Sequence, residues 1–167
     1  MSHLTNAQLL TLKAAILAET DPTFVGYRNA NDKVSMANLW FNADSSPAFI
    51  VTRSLVNTTE VGKAVNYIAV EAMTDANRAR ITTFYAMNPV SFQPRADVQT
   101  YWNNTFSGAL GGEGQATRDA LLALWKRTAR RIERLYATGT GTTLSPGTLV
   151  FEGTIDGGHI GEALEAV

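Results

Sequence analysis

The stretch Thr117–Val150 limits the folds open to this chain more than any other. Its first part reads ATRDALLALWKRTARRIERLYATG. Leu121, Leu122, Trp125, Ala129, Ile132 and Tyr136 recur there at three- and four-residue steps, which places them on one face of a helix. Arg127, Arg130, Arg131 and Arg134 fall on the opposite face. Thr117 suits an N-cap, Asp119 suits the first turn, and the arginines crowd the last turns, all as the helix dipole favours. Gly139 is the stop. The continuation TGTGTTLSPGTLVFEGTI cannot be helical: Ser145-Pro146-Gly147 marks a turn and Leu149-Val150-Phe151 reads as a strand. One long basic-backed helix feeding an extended hairpin arm is expected.

Helices account for most of the remainder. Thr5 caps a helix from Asn6 to about Glu19, striped by Leu9, Leu12 and Ile16. Asp21-Pro22 starts a short one, which Gly26 and the polar run Arg28 to Asp32 interrupt. Another short helix is expected from Asp32 to Phe41, then a loop through Pro47 and an extended Phe49-Ile50-Val51. Asn57 or Thr58 caps a helix carrying Val61, Val65 and Ile68. Thr74-Asp75 opens one to about Met87 that buries Ile81, Phe84 and Tyr85, with Met73 packed before its cap. Pro94 to Phe106 carries Val98, Tyr101, Trp102 and Phe106 at helical spacing. The glycines from Ser107 to Gly114 read as a flexible linker. Thr154 caps a final helix from Ile155 to about Ala166. Alternating βα units are absent, so a parallel sheet is not expected. The fold class is mainly α: a helical bundle over 1–136, then a C-terminal arm with a short final helix over 137–167, in a single domain overall.

Charge is distributed unevenly along the chain. The net charge is only -1, which offers no global attraction to nucleic acid or membrane. Yet residues 117–136 carry Arg118, Lys126, Arg127, Arg130, Arg131 and Arg134 against Asp119 and Glu133. Residues 152–167 carry Glu152, Asp156, Glu162 and Glu165 with no lysine or arginine. Such unlike patches can pair within the chain or head-to-tail between copies. There is no cysteine, which excludes disulfides, thiolate catalysis and cysteine zinc sites. No secretory signal pattern opens the chain, and no apolar run approaches the ~20 residues that cross a bilayer, so a soluble chain without a membrane partner is expected.

Motifs for chemistry are missing. His3 and His159 read as two solvated histidines, since a metal site would need a rigid frame and a further ligand. GALGGEGQAT lacks the lysine and the preceding strand of a phosphate loop. Ser54 and Ser91 have no nucleophile-elbow setting. Asp75, Asp97 and Asp119 each fall near a helix start, where a cap or first-turn charge explains them. No enzyme, cofactor, metal or catalytic residue is expected. The arginine face of Arg127, Arg130, Arg131 and Arg134 reads as a solvated or intersubunit surface before it reads as a track for DNA phosphates.

Lys126, Arg127, Arg130, Arg131, Ala137 through Thr142, Pro146, Thr148, Phe151, Glu152 and Gly153 together resemble the closing segment of small virion proteins of tailed bacteriophages, typically encoded among the head and neck genes. The opening NAQLLTLKAAILAE is similar to the start of that group; residues 28–95 match it less clearly. The resemblance implies a fold logic like that of head–tail connectors or adaptors. In that class a small helical bundle forms a ring, commonly a dodecamer, beneath the portal, and an extended arm docks on the portal or a neighbouring subunit. It implies virion localisation, with the chain itself, the portal protein, the next neck or tail protein and packaged DNA in the channel as partners. No catalytic residue carries over. The arm residues Thr140, Thr142, Leu144, Leu149, Val150 and Phe151 would make the docking contacts, by strand addition to a neighbour. A tail-completion or head-decoration protein is the first alternative, and a DNA-binding protein using the arginine face the second.

Overall fold

The computed structural model describes residues 4–53, 56–86, 96–106 and 111–167. His3 and the side chains of Phe84, Tyr85 and Val98, singled out above, lie outside what is described. In chain order the elements are α1 (Asn6–Ala18), α2 (Pro22–Asn29), α3 (Lys33–Ser35) continuing as a π-helix (Met36–Phe41), β1 (Ile50–Thr52), α4 (Thr58–Ala64), α5 (Tyr67–Glu71), α6 (Asp75–Ala86), α7 (Ala96–Thr105), α8 (Gly111–Leu124), β2 (Lys126–Thr128), α9 (Arg131–Tyr136) and α10 (Gly157–Glu165). β1 and β2 form a small two-stranded antiparallel sheet. The mainly helical class is as expected.

The division of the chain is not. One compact unit joins Met1–Val51 to Thr128–Val167, and Thr52–Arg127 forms the other, so the boundary at 136/137 expected within one domain is replaced by two crossings at the strands. The reason lies in the first unit's core. Leu12 and Ile16 of α1, Phe24 of α2, Met36 and Phe41 of the π-helix, Ile132 of α9, Phe151, and Ile160 and Ala163 of α10 are all buried together. Residues from both ends of the chain thus share one core.

Local chemistry fixes these helices. Thr5 and Gln8 make a reciprocal capping box on α1. Asp21 caps α2, with Pro22 at its first position. Arg28 Nη1 donates to the carbonyls of Ile16, Leu17 and Glu19 and so closes the far end of α1. Gly26 does not interrupt α2 but lies inside it. Asn42 clamps Ile155 from both sides: its Nδ2 donates to the carbonyl at 2.7 Å and its Oδ1 accepts the N–H at 3.0 Å. The cap of α10 is Asp156, whose side chain accepts the His159 N–H, rather than Thr154. That hydrogen bond holds the Asp156 carboxyl below its usual range. His159 is therefore not solvated but buried.

The second unit packs α4 to α8 around Val56, Val61, Val65, Met73, Ile81, Trp102, Phe106, Leu121 and Trp125. Asn57 and Glu60 make a capping box on α4, and Arg53 pairs with Glu60 at 2.8 Å, which lowers the pKa of that carboxyl. The expected continuous helix through Ile68 breaks at Val65 and restarts under an Asn66 cap, and the restart turns Ile68 outward, 63% exposed. Gly111, Gly112 and Gly114 belong to α8 rather than to a flexible linker. Thr117 is not a cap but a buried residue within α8, where its Oγ1 accepts the Asn66 N–H.

The long helix of the sequence reading is the main correction. It ends at Leu124, runs as strand through Lys126–Thr128, and resumes as the six-residue α9. Within each unit, other backbone groups claim the hydrogen bonds that a continuous helix would close on itself. Trp125 O accepts the Arg53 N–H at 2.8 Å. Ala129 N–H donates to Phe49 O, Ala129 O accepts from Ser45, and Arg131 N–H donates to Ala43 O. Bonds to distant backbone groups thus replace helical ones, and packing decides between them.

Candidate functional site

The tail segment is a hairpin folded onto its own unit, not an arm with free backbone. Thr138 and Thr148 exchange both backbone hydrogen bonds, at 3.0 and 2.9 Å. Ile50 N–H donates to Gly141 O at 2.7 Å, and Gly147 N–H donates to Ile50 O at 2.8 Å. These bonds use the edge on which strand addition by a partner would depend.

Phe49 explains the glycines of this segment. Its ring lies against Gly141 and Gly147, so close that a Cβ at either position would overlap the ring, and Leu149-Val150-Phe151 does not form the expected strand. Gly141 also has φ +64, a left-handed conformation that costs other residues about 1 kcal/mol or more. Arg134 lies over the same ring, its guanidinium carbon 5.7 Å from the centre, and its Nη1 donates to Pro47 O at 3.0 Å. Gly141→Ala is expected to lower the stability of this unit by about 2–4 kcal/mol, from overpacking plus backbone strain. Chemical denaturation followed by hydrogen exchange at the Gly147 amide would measure it. A loss below about 1 kcal/mol would mean that Phe49 has free space to move into.

Beyond the turn the chain returns to the core. Phe151 is 6% exposed and packs edge-on against Tyr136, ring centres 5.8 Å apart. Tyr136 donates its hydroxyl proton to Gln8 O at 2.7 Å, and burial pushes its pKa up to about 12. A phenol raised in the folded state contributes stability that is whole below its ordinary value of 10.0 and is lost as pH climbs toward 12. Titration of phenolate absorbance should show late ionisation from Tyr136 beside that of Tyr101, which burial also raises, and Tyr136→Phe should remove the Tyr136 part; an unchanged titration curve in that variant would contradict the burial argument.

The predicted site residues thus separate. Thr140 Oγ1 donates to Ser145 O, and Thr142 Oγ1 accepts the Ser145 N–H, so both shape the turn. Leu144 is 97% exposed at the turn and Val150 is 67% exposed, while Leu149 is half-buried and Phe151 belongs to the core. The arginines do not share a helical face. Arg127 lies in β2 and Arg130 precedes α9, where it pairs with Glu133 at 3.3 Å. Arg131 lies flat on Trp40, its guanidinium carbon 3.6 Å from the ring centre.

Arg131 and Arg134 also wall an open cleft of about 680 Å³ together with Ala15, Glu19, Asp21, Trp40, Phe41, Ser46 and Leu135. Sequence reasoning had no signal for Trp40 or Phe49 beyond their size, because partners far along the chain give them their roles. Among the described residues no cluster of acidic or histidine side chains could hold a metal, and no helix is long and apolar enough to cross a membrane. Comparison with protein-family models, curated proteins and solved structures finds no match.

Proposed function

We propose that this protein is a non-enzymatic structural component of a tailed-phage virion: a head–tail connector that assembles as a ring beneath the portal and docks through the tip of its C-terminal hairpin. The observation that carries the reading is the tip itself. Leu144 stands 97% exposed on a turn whose base is fastened by Phe49, Gly141 and Gly147. A preformed turn loses little conformational entropy when it docks, and the apolar side chain presented on it is almost wholly exposed. A second support is that both stretches carrying the phage resemblance, 6–19 and 126–153, contribute to the same core. The hairpin docks as a rigid loop in this reading, through Leu144, Val150 and the adjacent threonines. The DNA-binding alternative loses its single basic helical face, because Arg127 lies in β2, Arg130 precedes α9 and only Arg131 and Arg134 are helical.

The test is light scattering after size exclusion on the protein mixed with the portal encoded in the same phage genome, beside the double variant Leu144→Asp, Val150→Asp. Both positions are exposed, so the variant keeps the fold. Wild type should join the portal in one discrete large complex and the variant should not. If wild type stays apart from the portal, the connector reading fails and binding to capsid lattice in many copies becomes the next assay. If the variant joins as well as wild type, docking through the hairpin tip is wrong.

A further inference from the structure

We propose that the cleft walled by α1, the π-helix and α9 is a binding site for a carboxylate carried on an apolar body. This inference stands apart from the virion reading. The cleft volume of about 680 Å³ is that of a small-molecule or side-chain site. Ala15, Phe41 and Leu135 offer apolar lining, and Arg131 and Arg134 offer charge.

The geometry of Arg131 decides the ligand class. Its guanidinium is held by stacking on Trp40, and its Nη1 is buried with no hydrogen-bond partner. A buried donor without a partner is a cost to the folded protein, larger for a charged group. The Arg131 side chain lines the cleft beside Trp40. A planar fork set this way matches the two oxygens of a carboxylate. Arg134 is exposed, spends Nη1 on Pro47 O and lines the same cleft.

The acidic residues of the cleft favour the same conclusion. Glu19 Oε1 accepts the N–H groups of Thr20 and Asp21, and Asp21 Oδ1 accepts those of Thr23 and Phe24. Both carboxylates already have donors, whereas Arg131 lacks an acceptor. Their charge repels an anion from that side and leaves α9 as the side where it docks.

Trp40 and Phe41 owe their positions to the π-helix Met36–Phe41, in which the wider turn replaces an α-helical one. Such turns are rare and recur at functional sites. Trp40 is further fixed by Phe24, ring centres 5.3 Å apart. The stacking platform is therefore built before any ligand arrives.

The full-length protein would be titrated with sodium benzoate, with an acetylated and amidated Leu-Glu-Leu tripeptide, and with benzylamine as the cationic counterpart. The readout is the Trp40 indole N–H resonance. Benzoate, the tripeptide or both should shift it saturably, and benzylamine should not; the tighter of the two tells a free carboxylate from a peptide side chain. Arg131→Lys keeps the charge and removes the fork, and should weaken binding about tenfold. Arg134→Gln changes an exposed side chain that also donates to Pro47 O, and should weaken binding by a smaller factor, which keeps the test decisive if the Arg131 variant misfolds. No saturable shift from either carboxylate, an equal response to benzylamine, or wild-type affinity in the Arg134 variant together with a folded Arg131 variant would each overturn the proposal.

Discussion

Ending the chain at Gly139 is expected to abolish the fold of the unit formed by residues 1–51 and 128–167, not merely to shorten an arm. The removed segment contains Phe151, Ile155, Ile160 and Ala163, all buried in that unit's core. Burying the three large side chains contributes roughly 5–9 kcal/mol of transfer free energy. A whole domain is stable by only about 5–15 kcal/mol. The truncation also exposes one side of α1, against which α10 packs, and removes the acceptor of the Lys13 ammonium, the Ala166 carbonyl at 2.8 Å. Limited proteolysis with mass mapping checks this. Cleavage should spread through residues 4–51 of the truncated protein and spare them in the full chain. Protection of those residues after truncation would show that the N-terminal helices form a core without the C-terminal ones. A deletion of this kind therefore cannot serve as a test of docking, and for that reason the portal experiment relies on Leu144 and Val150.

Glu133→Ala should produce the second large effect, a loss of about 3–5 kcal/mol in the same unit. Glu133 is a fully buried carboxylate, 0% exposed. It accepts the Arg130 N–H at 2.8 Å through one oxygen, and through the other the Gly153 N–H at 3.0 Å and Arg130 Nη1 at 3.3 Å. Alanine leaves two backbone donors without an acceptor, at about 1–3 kcal/mol each, and opens a cavity besides. The charge itself is a mixed asset, since a buried carboxylate is costly to desolvate. Glu133→Gln, which keeps the volume and one acceptor oxygen, should therefore recover part of the loss. Hydrogen exchange at Gly153 reports the contact directly: its amide should exchange near the loop rate in the alanine variant. A slow Gly153 amide there would mean that another acceptor holds the turn.

This bond gives a physical reason for part of the conspicuous tail motif. Glu133 belongs to the arginine-rich run and Gly153 to the Phe-Glu-Gly run, twenty residues on. Gly141 and Gly147 belong to the runs between them and make room for Phe49. Gly141 and Gly153 of this segment are thus residues that hold it to its own unit.

Several local features were legible in the residues. Thr5 before Gln8, Asp21 before Pro22 and Asn57 before Glu60 announce helix starts, because a capping bond forms between residues two or three positions apart and needs nothing from the rest of the chain. The mainly helical class follows from the apolar spacing, and the end of helix beyond Tyr136 from the Thr/Gly/Pro run. Tertiary structure alone decided where α8 ends, which chain ends share a core, and where Arg131 lies. Trp125, Ala129 and Ile132 satisfy a helical stripe, yet backbone groups of Ala43, Ser45, Phe49 and Arg53 bond with the same stretch of chain. A helix completes its hydrogen bonds within the segment, so sequence can specify it; a strand pair, a shared core or a guanidinium on an indole needs a partner tens of residues away. No local pattern encodes that partner, and the burial that selects it exists only once the chain has folded.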